Sequence, residues 1–205
     1  MDADVPGEGH GSRRGDTRAR IQQVALELFG EQGYERTSLR EIAERLGVTK
    51  AALYYHFKSK EDIVRSFTED HFARLDAVID WARQQPPGPE TTRGILERYV
   101  AILVEGSDVF RFLERNQAVL RTHDDGKHRF GQFRPRLNVL VELITGPGAP
   151  TRARVRASVA LFASSASLML LRQEDGTDVE EVRKIVLEIA DDLLRDMPPA
   201  ERERS

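Results

Sequence analysis

Thr37-Ser38-Leu39-Arg40-Glu41-Ile42-Ala43-Glu44-Arg45-Leu46-Gly47-Val48-Thr49-Lys50-Ala51-Ala52-Leu53-Tyr54-Tyr55-His56-Phe57 reads as two short helices broken by one glycine. The hydroxyl of Ser38 (or Thr37) is placed to accept a backbone N–H that the first helical turn leaves unpaired. Glu41, three residues after Ser38, completes a capping box. Leu39, Ile42, Ala43 and Leu46 recur at the spacing that builds one apolar stripe on a helix. Gly47 stands where a helix end calls for a left-handed residue, a conformation that costs a residue with a β-carbon. Val48 plugs the corner, and Thr49 caps a second helix expected to run to about His56. Helices joined through so short a turn cross steeply, which leaves the second free to enter a DNA major groove.

Outward from this motif the chain reads as helices throughout. Asp16 or Thr17 is expected to open a first helix with Ile21, Val24, Ala25, Leu28 and Phe29 on one face, closed at Gly33 before the anchor Tyr34. After Ser59-Lys60-Glu61-Asp62 a long helix is predicted from about Lys60 to Gln84. Pro86-Pro87-Gly88-Pro89 stops it, because proline lacks the N–H and restricts the residue before it. Further helices are predicted from Thr91/Thr92 to Gly106, from Ser107 to Thr122, and from Lys127 to Ile144, where Pro135 marks either a kink or the true start. Two more follow, Thr151–Arg172 and Val179–Asp196. No useful β-alternation occurs, so the expected fold is all-α: a three-helix DNA-binding head with a larger antiparallel helical body, about nine helices. The divisions expected are a disordered arm 1–15, a head 16–60, a body 61–197 and a frayed tail 198–205.

Composition narrows the class. With 205 residues, 40% hydrophobic and 32% charged, the chain is expected to bury a core as a soluble protein. No uncharged apolar run approaches the roughly 18 residues of a membrane span, so none is expected. Residues 1–15 lack the apolar core of a secretory signal, and there is no cysteine, so a reducing cytoplasm is the simplest expected home. The net charge of −3 does not by itself suggest nucleic acid. The distribution does: from His10 to Lys60 there are ten Lys/Arg against six Asp/Glu, and from Glu61 onward 21 against 25. A basic N-terminal module on an acidic body fits a DNA reader whose second part does something else.

In the second helix of the motif, Thr49, Lys50, Ala52, Tyr54, Tyr55 and His56 alternate with Leu53 and Phe57, which are expected to be buried. Lys and Thr suit base edges or phosphates, while Ala and Tyr allow close, sequence-tolerant contact. Arg13, Arg14, Arg18 and Arg20 form a possible basic arm, with a solvated tail as the plain alternative. From Thr17 to Arg65 the chain resembles the N-terminal domain of the TetR family of transcriptional regulators. The resemblance rests on Ala25-Leu26-Glu27-Leu28-Phe29-Gly30-Glu31-Gln32-Gly33-Tyr34, on the motif above, and on the closing Lys58-Ser59-Lys60-Glu61. It implies a homodimeric repressor on a near-palindromic double-stranded operator, with a ligand-binding helical body. Residue by residue, it implies phosphate or base-edge contacts for Ser38 and Arg40 and a base-reading turn of Thr49, Lys50, Ala51 and Ala52. Tyr54, Tyr55, His56 and Lys60 correspond to backbone clamps.

The body carries no such motif, and its reading rests on pattern. Small residues from Ala157 to Ser167 interleave with Val159, Phe162, Leu168 and Met169, and Val182, Ile185, Val186, Ile189 and Leu193 form a heptad-like stripe. Two such helices from each of two subunits would make a four-helix interface, with Val159, Phe162, Ala166, Met169, Val182, Ile185 and Ile189 as its candidates. The alternative is that both stripes face the subunit's own core. Phe72, Trp81, Phe110, Phe112, Phe130 and Phe133 are candidates for an effector cavity, with Arg115, Asn116, Gln117 and His123 as polar anchors; plain core is the rival reading. His71, His123 and His128 lack metal-ligand spacing, and no nucleophile–base set or phosphate loop stands out, so no metal, cofactor or enzymatic activity is expected. The function expected is therefore a ligand-responsive repressor with a small-molecule effector. The alternatives are a ligand-independent dimeric regulator controlled by abundance or a protein partner, and a helical enzyme with an incidental helix-turn-helix.

Overall fold

The computed structural model describes the backbone of residues 10–116, 125–171 and 178–195, and the side chains of 16–113, 115–116, 132–171 and 178–195. The expectations for residues 1–9, Gln117, His123 and the tail, and for the side chains of Arg13, Arg14, His128 and Phe130, lie outside the described residues. Among the described residues there are nine helices and no strand: α1 His10–Gln32, α2 Leu39–Leu46, α3 Lys50–His56, α4 Lys60–Arg83, α5 Pro89–Glu105, α6 Ser107–Arg115, α7 Asp125–Thr145, α8 Thr151–Leu171 and α9 Val179–Arg195. The fold class is all-α, as the periodicity indicated.

Two boundaries differ from expectation, each for a local reason, and Pro135 proves to lie within a helix rather than at its start. Helix α1 begins at His10, inside the stretch expected to be disordered. No proline interrupts His10–Gln32, and Ser12, Arg13 and Arg14 have ordinary helix propensity, so Asp16 and Thr17 are helical residues rather than a cap. Helix α5 starts at Pro89, with Gly88 as its N-cap. Proline at the first helical position forfeits an N–H that would be unpaired anyway. Pro135 lies inside α7, where the Arg136 Nη1 donates to the Gln132 carbonyl at 2.9 Å in the same turn.

The chain divides into two compact units, Met1–Thr68 and Glu69–Ser205. The first has its own core of Ile21, Ala25, Leu28, Phe29, Ile42, Leu53, Phe57, Ile63 and Val64, all nearly free of solvent contact. Its ties include Arg45 of α2, which grips Glu31 of α1 at 2.9 Å, and Gln22, whose Nε2 donates to Ser66 Oγ at 2.8 Å.

In the second unit α8 packs against α9, α7 and α5, and α5 also meets α9 and α7. The buried side of α8 is small: Ala153, Ala157, Ala160, Leu161, Ser164 and Leu168. Small side chains let helix axes approach closely, and Tyr99 of α5 reaches Ser165 of α8 at 2.6 Å. Tyr99 is fully buried, and burial pushes its phenol up to about 12. By length and composition α8 would also suffice to cross a membrane, with a mean hydropathy of 1.3 over its most apolar window. Its neighbours on α5, α7 and α9 account for one side of that apolarity; the other side is exposed.

Gly94 makes one packing contact possible. A β-carbon there would overlap Cη2 of Trp81 and sit 3.2 Å from Arg98 Nη1, and the Arg98 guanidinium lies 3.6 Å from the Trp81 ring centroid. Alanine would contribute about 1 kcal/mol of helix propensity against an overpacking cost of about 1–3 kcal/mol. Gly94→Ala is therefore expected to destabilise the protein. Because Trp81 is the sole tryptophan, its fluorescence should shift in the folded variant; unchanged emission together with a raised melting temperature would contradict this packing.

Candidate nucleic-acid and effector sites

The motif of the first unit is built by local bonds that its residues dictate. Ser38 caps α2: its Oγ accepts the Glu41 N–H at 3.2 Å, and Glu41 Oε2 accepts from the Ser38 N–H and hydroxyl at 2.7 Å each. Thr37, the alternative cap, is buried instead, donating to the Gly33 carbonyl at 2.9 Å. Gly47 adopts φ 72° and ψ 27°, and Val48 N–H returns to the Ala43 carbonyl at 3.0 Å, which closes α2 and turns the chain. Thr49 Oγ1 then accepts the Ala52 N–H at 3.1 Å and starts α3.

The Ser38 hydroxyl first, and then its amide, hold the Glu41 carboxyl below its ordinary value. A depressed pKa means that the folded state favours the charged form. Its contribution is complete above the unfolded carboxylate value of about 4.3 and is lost as pH falls through the lower folded value. Glu41→Gln keeps a capping partner without the charge. The stability difference between wild type and this variant in urea titrations should therefore shrink as pH drops below about 4; a constant difference would refute the linkage.

Helix α3 presents two opposed faces. Leu53 and Phe57 are fully buried, whereas Lys50, Ala51, Ala52 and Tyr55 are exposed and Tyr54 and His56 are half-buried. Lys50 Nζ sits 5.4 Å from the Tyr54 ring centroid, and the Tyr55 and His56 rings meet edge-on at 5.3 Å. Ser38, Arg40 and Thr49 are exposed as well, with Arg40 held by Glu44 at 2.7 Å. Lys60 is placed differently from its neighbours. Its ammonium donates to the carbonyls of Tyr34 at 2.7 Å and Glu35 at 3.3 Å and lies 4.5 Å from the Tyr34 ring centroid. Two of its three donors are thus spent on the turn after α1, and the Tyr34 hydroxyl donates to Glu61 at 2.8 Å beside it.

Lys58 was not singled out by pattern. Its Nζ donates to the Tyr54 carbonyl at 2.7 Å and its N–H to Asp62 Oδ2 at 3.0 Å, so it finishes α3 and begins α4. A lysine immediately past a helix end is the signal that points to this role. Arg18, read as part of a basic arm, lies 5.0 Å from the Phe57 ring centroid within the unit.

With this geometry in view, the kinship is plain. Residues 21–67 match the family model for bacterial regulatory proteins of the tetR family. The head of this chain belongs to the tetR family. Over 54 residues it is 50% identical to the HTH-type transcriptional regulator AcrR of Shigella flexneri, a stretch that is 26% of this chain and 25% of that protein. Over 129 residues it is 31% identical to the HTH-type transcriptional repressor BepR of Brucella suis, covering 62% and 59% of the two chains. The matches thus span less than two thirds of these curated relatives. The crystal structure of a transcriptional regulator from Aquifex aeolicus superposes with a TM-score of 0.67 at 21% identity, covering 84% of this chain and 96% of that one, a likeness of fold. The tetR-type head therefore accounts for every element from α1 into α4.

The second unit brings together some of the proposed effector residues and disperses others. Phe72, Phe110 and Phe133 gather around His71, which pattern alone did not select for this group. Phe112 is buried, and Trp81 is covered by Arg98 against α5. Arg115 is exposed, and the Asn116 side chain donates to the Phe112 carbonyl at 2.8 Å, closing α6 rather than facing a cavity. An open groove of about 380 Å³ is lined by Asp76, Ile79, Asp80, Arg83, Pro135, Arg136 and Val139, none of them among the candidate effector residues. Among the described residues no cluster of His, Cys, Asp or Glu is placed to hold a metal ion.

The stripes proposed for dimerisation separate cleanly. Phe162 is 67% exposed and Ile189 53%, with Val159, Ala166, Met169 and Ile185 also exposed. Val182 is corrected: at 9% exposure it belongs to its own unit's core with Val186, Ala190 and Leu194, one turn pattern away from Ile185 and Ile189. Val155 extends the exposed row, so that residues 155, 159, 162, 166 and 169 alternate steps of four and three.

Proposed function

We propose that this protein is a ligand-responsive transcriptional regulator that acts in the cytoplasm as a homodimeric repressor on a near-palindromic operator. One observation carries the DNA-reading part: α3 turns Lys50, Ala51, Ala52 and Tyr55 outward over a sealed base of Leu53 and Phe57. Such a helix meets base edges without unfolding anything behind it. Ser38, Arg40, Thr49, Tyr54 and His56 flank it as phosphate or base contacts, with Arg40 exchanging Glu44 for DNA. Lys60 contributes its remaining donor while holding the turn at Tyr34.

The dimeric part is supported by the exposed apolar row of α8 with Ile185 and Ile189. An apolar seam of alternating four- and three-residue steps is what two helices bury against each other. A two-fold dimer presents its two reading helices to half-sites about 34–36 Å apart or a multiple of that. The Glu69–Ser205 unit is the effector-binding and dimerisation body in this reading, and α4 links it covalently to the head. The names of relatives such as the repressor BepR agree with the repressor assignment. Selection of bound duplexes from a random pool, followed by footprinting, tests the reading directly. Recovery of an inverted repeat is the expected result; binding without sequence preference would refute it.

A further inference from the structure

Helix α2 carries one ion pair set against its own dipole. Arg40 stands in the first turn and Glu44 in the last, joined by a bond from Arg40 Nε to Glu44 Oε1 at 2.7 Å, and both side chains are mostly exposed. A cation is disfavoured where unpaired N–H groups leave a helix start positive, and an anion where carbonyls leave its end negative. An i,i+4 pair with the base N-terminal to the acid is also the weaker orientation. Helix stability therefore gives no reason for this placement. Neighbouring acids of the same unit do have structural work: Glu41 caps α2, Glu31 ties α1 to Arg45, Glu61 accepts the Tyr34 hydroxyl and Asp62 accepts the Lys58 N–H. The Glu44 carboxylate has Arg40 as its only hydrogen-bond partner among the described residues.

We propose that Glu44 sets the affinity of the DNA-reading face by competing with DNA for Arg40. The inference rests on the reading of α2 and α3 as that face. Phosphate oxygens and the edge of guanine accept from the same guanidinium nitrogens as a carboxylate does. On Arg40, Nη1 and Nη2 have no partner among the described residues, whereas Nε is held. A fork that offers Nε and Nη together must leave Glu44 first. The carboxylate is then unpaired beside a polyanion, and that repulsion adds to the loss of the pair. Both terms subtract from what Arg40 contributes to binding. An effector releases DNA only through its differential affinity for two conformations, so a limited hold on the operator keeps release within reach of one ligand.

The test is fluorescence anisotropy of the full chain over a series of salt concentrations. The probes are a duplex carrying the inverted repeat recovered by selection and a scrambled duplex of the same composition. Glu44→Gln is expected to bind the inverted repeat about three- to tenfold more tightly than the unaltered protein, with a gain no smaller than that on the scrambled duplex. The slope of log K against log salt should steepen by up to about 0.9, the share of one phosphate contact. In an Arg40→Ala background the same substitution changes the charge but not the competition, so most of the gain should vanish there. The melting temperature of Glu44→Gln should equal or exceed that of the unaltered protein, because a charge opposing the dipole has gone. A purely structural Glu44 requires the opposite, a lower melting temperature with weaker binding. Unchanged or lower affinity in the folded variant, or a gain that persists in full without Arg40, overturns the proposal. A bound inverted repeat with no gain in Glu44→Gln refutes the competition alone and leaves the DNA-reading assignment standing. If selection with the unaltered protein recovers no bound sequence, that assignment fails and the proposal with it.

Discussion

Phe162→Asp combined with Ile189→Asp is expected to yield a folded monomer that no longer holds its operator. Both side chains are more than half exposed in the single chain, so their replacement leaves the core of α5, α7, α8 and α9 intact. In the proposed dimer the same positions would be covered, and each aspartate would become a buried charge without a partner. Several kcal/mol of desolvation per ion oppose that, and the two-fold axis doubles the effect. Splitting the dimer removes the linkage between two half-site contacts, which lowers operator affinity by roughly 10²–10⁴-fold. Light scattering should report the monomer mass with an unchanged helical circular dichroism spectrum. A dimer that survives both substitutions places the interface elsewhere. Val182→Asp is the contrasting control: it unfolds the second unit, because Val182 is part of that unit's own core.

Removal of Lys50 and Tyr54 is expected to be nearly as damaging to DNA binding, with no loss of fold. Each alanine should cost about 1–3 kcal/mol of operator affinity if the side chain meets a base edge or grips the backbone closely. The two are neighbours, with the Lys50 ammonium over the Tyr54 ring. Their effects should therefore not be additive, and the double-mutant cycle reads how far Tyr54 pre-positions Lys50. Lys60→Ala is expected to differ in kind. It removes two hydrogen bonds to the turn at Tyr34 and Glu35, so it should lower the melting temperature as well as weaken binding to all sequences. Full specific affinity in the Lys50/Tyr54 double mutant would remove α3 from its role as reading helix.

What was legible beforehand was local. The capping box of Ser38 and Glu41, the left-handed Gly47 and the Thr49 cap each involve residues within a few positions of one another. Helical geometry settles such contacts almost regardless of the rest of the chain. The outward face of α3 was legible for the same reason, since Leu53 and Phe57 set the buried side and the period does the rest.

The sequence by itself determined the helices, the head and the chemistry of its reading face. Only the tertiary structure decided which apolar rows are core and which stay exposed. Val182 and Ile185 look alike in a heptad stripe, yet one packs inward with Val186 while the other stays exposed, because the neighbouring α5 and α8 set the angle of the stripe. Lys60 followed the same rule, since an exposed-looking lysine at a helix start finds the Tyr34 carbonyl only once α1 has turned back. The effector candidates were scattered or gathered by packing alone: Asn116 closes its own helix, whereas His71, a plain residue in the linear pattern, is ringed by phenylalanines from α4, α6 and α7. Residues distant in sequence meet through long-range packing, and no periodicity within one helix encodes which neighbour will face it.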